Sequence, residues 1–425
     1  MKKIYLFLAL ILIAGSINAQ RMVQGVLRSD LKPEVQKAAL SERSNRTFNF
    51  DSIDFWVGDG ENRAAIVLTW HDTNKTVPDN MVWGYRWDAA VDTISGLVLF
   101  QEVMKADPRL IGLIQYTGPM GYTIDGIGYA NNFRKDVGVY FDYAGATASS
   151  NPYPANAEQM AADAISNGNQ TGLIIHPFGA PSETGRPIYD YDYWKAPEAS
   201  DTHWFAGWYT GYWSYFVRDS YNSDFSYSGY GASSRKVKNG TWDAWSWNSF
   251  MGTTDGTDPG DNLIAATPIV KIDQKVTSLK VGETLTLSAS VDTRYTVAAL
   301  TWSSKNTAVV KVDAKGVVTA VAPGTTEIKV KTRDGKYNAY CKVTVTAAAA
   351  KTAATTANVT YSDNTLRVND LAGYTGYITN IAGTTVTSYA ITSSNSVKTL
   401  NLTPGVYGFT AVKGAEKVSI KFVVK

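Results

Sequence analysis

The sequence predicts a mostly β chain of three modules: an aromatic-rich β-sandwich-like module with one or two helices, followed by two smaller β-sandwiches. Three observations carry this expectation. Charged residues make up only 18% of the chain, while Tyr numbers 25, Trp 12 and Gly 35, a composition suited to short strands joined by tight turns. Eleven of the 12 tryptophans lie between Trp56 and Trp247, after which the chain turns to Val, Thr, Ala and Lys with Trp302 alone. A second shift comes at 347–357, a run of small residues that reads as a linker between two β-patterned stretches.

The first residues read as an export signal. Met1-Lys2-Lys3 is followed by an apolar run from Ile4 to about Ala14 and by the small-residue site Ile17-Asn18-Ala19. The run is shorter than the roughly 20 residues a membrane span needs. Residues 1–19 are therefore expected to be a signal peptide handled by the Sec translocon and signal peptidase, and 20–44 a polar leader with a short helix at 34–42. No Cys stands at the cleavage point to carry a lipid anchor. Loss of Lys2 and Lys3 takes the 40 basic residues to 38, matching the 38 acidic ones. A neutral mature chain has no overall field for polyanions, so nucleic acid is not an expected partner. Cys341 is the single cysteine, which rules out an internal disulfide and makes a buried core thiol the expectation.

Residues 45–265 form the expected front module. Ala64 to Trp70 is an apolar run of buried-strand length, and in 81–88 Trp83, Tyr85 and Trp87 alternate with Val82, Gly84 and Arg86. Apolar residues at helical spacing predict a helix over 93–106, ending before Asp107-Pro108. A second short helix is expected over 157–166. The aromatic runs 204–213 and 242–247 both alternate with strand period.

The later stretches carry more specific marks. Between 266 and 346, short alternating strands are separated by Asp313-Ala314-Lys315-Gly316, Pro323-Gly324 and Asp334-Gly335. Leu279-Lys280-Val281-Gly282-Glu283-Thr284, Trp302-Ser303-Ser304 and Gly316-Val317-Val318-Thr319-Ala320 resemble the bacterial immunoglobulin-like domain of group 2. That resemblance implies a two-sheet sandwich serving as a spacer or adhesion module, with Trp302 in its core. Residues 358–425 hold an Asn380-x-x-Gly383 turn, a Gly405-Val406-Tyr407 strand and a terminal Lys421-Phe422-Val423-Val424-Lys425. These look like the C-terminal sorting domain of the type IX secretion system. The resemblance implies Asn380, Gly383, Gly405, Tyr407, Lys421 and Lys425 as the sorting signal, an outer-membrane translocon as partner, and passage through the periplasm to the cell surface or the medium. Gly408-Phe409 departs from the usual apolar β-branched residue after that tyrosine. The front module resembles exported bacterial proteins of uncharacterised activity, which carries no function over.

Function is expected in the front module. Tryptophans on open strands stack on sugar rings or flat cofactors, with a few polar groups fixing orientation. Trp83, Tyr85, Arg86, Trp87, Asp88, Trp208, Trp213 and Trp245 are the candidate ligand contacts, against the plainer reading that most tryptophans fill a core. The leading expectation is a binding protein for a glycan or another ring-bearing ligand. A glycan-degrading hydrolase, corrinoid capture and a structural surface role are the alternatives. Asp88, Glu183, Asp190 and Asp192 are candidate paired carboxylates for such a hydrolase. His71, His176 and His203 are scattered, so no metal or other cofactor is expected. Asp255, Asp258, Asp261 and Asn262 offer oxygen ligands for calcium but lack EF-hand spacing, so a linker is favoured there.

Overall fold

The computed structural model describes residues 48–118, 121–143, 153–178, 191–208, 210–220, 223–250, 259, 262–296, 299–347, 351–352 and 358–425. The expected signal peptide, leader and 34–42 helix lie outside these, as do Glu183, Asp190, Asp255, Asp258 and Asp261.

The front module is a sandwich of two sheets. Its main sheet contains β1 (Trp56–Gly58), β2 (Asn62–Thr69) and β3 (Met81–Trp87). After the helix α1 (Gly96–Ala106) come β4 (Leu110–Tyr116) and β5 (Tyr122–Ala130). Then follow α2 (Ala157–Thr171), β6 (Leu173–Ile175), β7 (Thr202–Ala206), β8 (Gly211–Arg218) and β9 (Trp242–Ser249). The main sheet runs β8-β9-β2-β3-β1, and the second sheet runs β7-β5-β4-β6. The apolar run in β2 is buried on both faces because it lies at the sheet's centre. Ala64, Ile66 and Leu68 join Trp83, Trp245, Phe100 and Val103 in an inner core. Ala65 and Val67 join Trp56, Phe216 and Trp242 on the outer face. On the far side of the second sheet, Ile111 and Leu113 pack with Ala157 and Ala161 of α2.

Both expected helices form, with different ends. α1 starts at Gly96 because Ile94–Ser95 pairs with Lys236–Val237, and Ser95 Oγ caps the helix by accepting from Val98 N at 3.1 Å. α2 runs on to Thr171, five residues beyond the expected end, and closes at Gly172, which adopts φ 87°. The aromatic run 204–213 is two strands rather than one. Gly207 (φ 155°) breaks it, so β7 pairs with β5 in one sheet and β8 with β9 in the other.

The middle module is a second sandwich. It comprises β10 (Val276–Lys280), β11 (Thr284–Thr286), β12 (Leu300–Ser304), β13 (Val310–Val312), β14 (Val317–Ala320), β15 (Gly324–Thr332) and β16 (Asn338–Thr346). β12-β15-β16-β10 faces β11-β14-β13. Cys341 is wholly buried between them with Ile328 and Val343, and Trp302 packs at the edge of that core. Burial pushes the Cys341 thiol up to about 12.

The front and middle modules share one sheet. Trp56 of β1 pairs with Asn338 of β16, so the front sheet continues into β16, β15 and β12. Ala266, Ile269 and Tyr295 belong to the front module's inner core. Arg109, 1% exposed and paired with Asp107, donates to Thr267 O at 2.7 Å, and Tyr295 OH donates to Asn132 O at 2.9 Å.

The last module has its own core. Its strands are β17 (Val359–Ser362), β18 (Thr365–Asn369), β19 (Thr375–Asn380), β20 (Thr385–Ala390), β21 (Asn395–Thr399), β22 (Gly405–Lys413) and β23 (Glu416–Val424). β23-β22-β19-β20 faces β17-β18-β21, with Leu366, Ile378 and Phe409 between them. Part of the expected linker belongs to this sheet: Lys351–Thr352 lies parallel to Glu416–Lys417. Asn380 Oδ1 accepts from Ala382 N and Thr384 N, and Gly383 takes φ 81°, which fixes the turn. Tyr407 points into the core, while Lys421 and Lys425 are exposed. Phe409 fills the core and Gly408 lies opposite Lys421.

Candidate functional site

The alternating strand β3 turns its aromatic face inward. Trp83, Trp213 and Trp245 are 0%, 7% and 1% exposed, and Trp87 is 5% exposed. These four expected ligand contacts are core residues. Trp83 Nε1 donates to the buried Asp107 carboxylate at 2.8 Å, and Trp87 and Trp213 donate to the carbonyls of Val91 and Phe205. Their indoles are held by packing and by these bonds, and present no open face. Tyr85 is half-buried and stacks on Trp87 at 6.1 Å. Asp88 is exposed, with Oδ1 spent on the Ala90 N–H of its own turn.

Trp208 is different. It is 43% exposed and starts a row of rings along one end of the main sheet's outer face. Its ring centroid is 6.3 Å from that of Tyr212, which is 5.4 Å from that of Phe250. Phe250 is 56% exposed, and Tyr227, on the short strand that pairs with β8, is 40% exposed. Among the described residues these rings form an open aromatic shelf. Asp192 builds it: its carboxylate accepts from the N–H groups of Trp208 and Thr210, both at 3.0 Å, and from Thr210 Oγ1 at 2.9 Å. Gly207 lets that loop turn, since a Cβ there would stand 2.7 Å from Asp192 Oδ1. Asp192 thus serves as the clamp of the shelf, taking donors from Trp208 and Thr210.

Sequence reasoning missed Tyr212, Tyr227 and Phe250. The signal was present for Tyr212, which alternates with Trp213 and Tyr215 and must therefore point to the opposite face. Phe250 lies one residue past β9, where strand parity gives no direction.

The other end of the same outer face carries Arg86, 4% exposed. Its guanidinium lies 3.9 Å from the Tyr340 ring centroid and 4.8 Å from that of Trp56, and makes two bonds of 2.9 and 3.0 Å to Glu327. A cavity of about 610 Å³ opens here between the front and middle modules.

The histidines serve local bonds. His176 accepts from Phe178 N, and His203 stacks on Trp70 at 4.7 Å with Nε2 bonded to Pro78 O. His71 Nε2 lies 2.7 Å from Ser246 Oγ, and burial lowers the pKa of the imidazole, so it is a neutral base at pH 7. Ser246 is only 1% exposed, which closes its hydroxyl to an incoming electrophile. Among the described residues no cluster of His, Cys, Asp or Glu is arranged to hold a metal ion.

The middle sandwich is the part that comparison identifies, since 266–343 match the family model of the bacterial Ig-like domain (group 2). Residues 266–343 are a bacterial Ig-like domain. Trp302, expected in its core, is partly buried and packs against it, and through β16 the domain supports the Arg86 end of the shared sheet. Similar solved structures include domains 4 and 5 of the S-layer protein SbsC, at 21% identity with a TM-score of 0.16, covering 20% of this chain and 55% of that one. An EHEC O157:H7 intimin mutant matches at 19% identity and TM-score 0.15, covering 22% of this chain and 50% of its own. The present chain thus spans about half the length of those two. The fibronectin(III)-like modules of Clostridium thermocellum CbhA match at 15% identity and TM-score 0.15, covering 37% of this chain and 94% of theirs. No curated protein matches the chain in sequence.

Proposed function

We propose that this is a cell-surface or secreted binding protein that holds a glycan on the shelf of Trp208, Tyr212 and Phe250. The observation that carries this reading is the exposure of neighbouring rings in one row, on a face whose other tryptophans are buried. Aromatic planes pack on the apolar faces of sugar rings, and adjacent rings let a chain of sugars lie across them. The shelf is open rather than slotted, which suits a polymer better than a corrinoid-type ligand enclosed on two sides. The Asp192 clamp pre-organises Trp208, which lowers the entropy cost of capture.

The bacterial Ig-like domain holds the front module out from its attachment point. The last module is the type IX export label: it has a separate core, the Asn380–Gly383 turn and an exposed lysine-bearing end. A glycan array on the full chain tests the shelf. Trp208→Ala and Phe250→Ala are each expected to weaken a positive signal by about tenfold, the usual scale for losing a ring anchor of about 1–2 kcal/mol. Unchanged binding in both variants would overturn the shelf. Removal of Lys421 to Lys425 is expected to leave the protein in the periplasm, and normal surface delivery would refute the export label.

A further inference from the structure

The cavity between the front module and the Ig-like domain differs from the shelf in chemistry. Its rings are largely covered, with Trp56 at 6% and Tyr340 at 8% exposure, and its wall is charged. Six cationic side chains and four carboxylates line it. The carboxylates are engaged: Glu327 with Arg86 and Lys305, Glu61 with Lys305, Asp54 with Lys275, and Asp51 with Arg63 at 3.9 Å. Lys271 and Lys342 are exposed on the wall, and neither has an acidic partner within ion-pair distance among the described residues. Arg86 adds a second observation. It is 96% buried, yet its Nε–H has no acceptor among the described residues. The guanidinium, held between Trp56 and Tyr340, adds positive charge behind the cavity wall.

We propose that this cavity is a second binding site, taking an acidic segment of polysaccharide whose carboxylate or sulfate groups meet Lys271 and Lys342. The volume of about 610 Å³ is within the range of small-molecule sites, large enough for a short oligosaccharide. The site is preformed, because β1 ties the two modules into one sheet. The saccharide class rests on the binding-protein reading, while the site itself does not share a residue with the shelf.

The test is binding of polygalacturonate to the full chain, with a neutral glucan and polyglutamate measured alongside. The double variant Lys271→Glu/Lys342→Glu is expected to lose about tenfold or more in polygalacturonate affinity, and salt should weaken the wild-type interaction. Lys417→Glu, on the last module, controls for general charge and should leave affinity unchanged. No polygalacturonate binding, equal binding by wild type and the double variant, or an equal loss in Lys417→Glu each overturn the proposal. Polyglutamate bound as tightly, through the same two lysines, would make this an acidic-peptide site and overturn the saccharide class. Neutral glucan bound without polygalacturonate sinks the cavity alone, and the reverse sinks the shelf alone.

Discussion

Glu327 accepts from both terminal nitrogens of Arg86 and from Lys305. Burial would raise its pKa, but these cations outweigh burial and hold it down to about 2. Its folded-state pKa lies below the unfolded value of 4.5, so its stabilisation is complete above 4.5 and is lost as pH falls toward 2. Asp243 behaves oppositely. It is wholly buried, and burial raises its pKa to about 6 despite bonds from Tyr215 and Arg235. The folded chain then binds that proton more tightly than the unfolded chain, so this contribution grows as pH falls from about 6 toward 3.8. Urea titrations across pH should therefore show greatest stability between about pH 4 and 5 for the unit containing these two residues. Asp243→Asn should flatten the fall above that window, worth up to about 3 kcal/mol, and Glu327→Gln the fall below it, worth about 2 kcal/mol after allowing for partial exposure. Identical profiles in wild type and Asp243→Asn would refute the first assignment.

At the scale of elements, β1 and β3 show how a strand joins two modules. Gly84 lies beneath the Trp56 indole, where a Cβ would stand 2.3 Å from a ring carbon. Gly84→Ala should push Trp56 off the sheet and disturb its pairing with Asn338, at a cost of about 1–3 kcal/mol in urea unfolding. A loss of only a few tenths would show that the strand yields freely. The sequence made β3's alternation plain, since Trp83, Tyr85 and Trp87 stand at period 2. It did not say which face is covered, because that depends on α1 and β4 arriving from further along the chain. The 204–213 run was harder. Unbroken alternation hid the Gly207 turn, which Asp192 stabilises from fifteen residues upstream. That long-range clamp, not local propensity, exposes Trp208 while Trp213 is buried.

The whole molecule has fewer independent units than composition implied. The match to the bacterial Ig-like family begins at residue 266, where the sequence turns from Trp-rich to Val- and Thr-rich. That shift says nothing of the shared sheet, whose two halves are joined by Trp56 and Asn338, nor of Tyr295 entering the front core. Calorimetry of the full chain should show two transitions, one for the front and Ig-like modules together and one for 358–425 with its separate core. Three transitions would show the first two modules to be thermally independent. Both candidate sites open on the same outer face of that sheet, the shelf beyond β8 and β9 and the cavity where β1 meets β16. One polymer bound at either place would approach the protein from that side. The most direct measurement is oxidative footprinting of the full chain with and without a saturating oligosaccharide from the array. Protection should centre on Trp208, Tyr212 and Phe250, with Trp83, Trp213 and Trp245 unreactive in both states. Ligand-bound protein that leaves Trp208 and Phe250 as reactive as before would contradict glycan capture on the shelf.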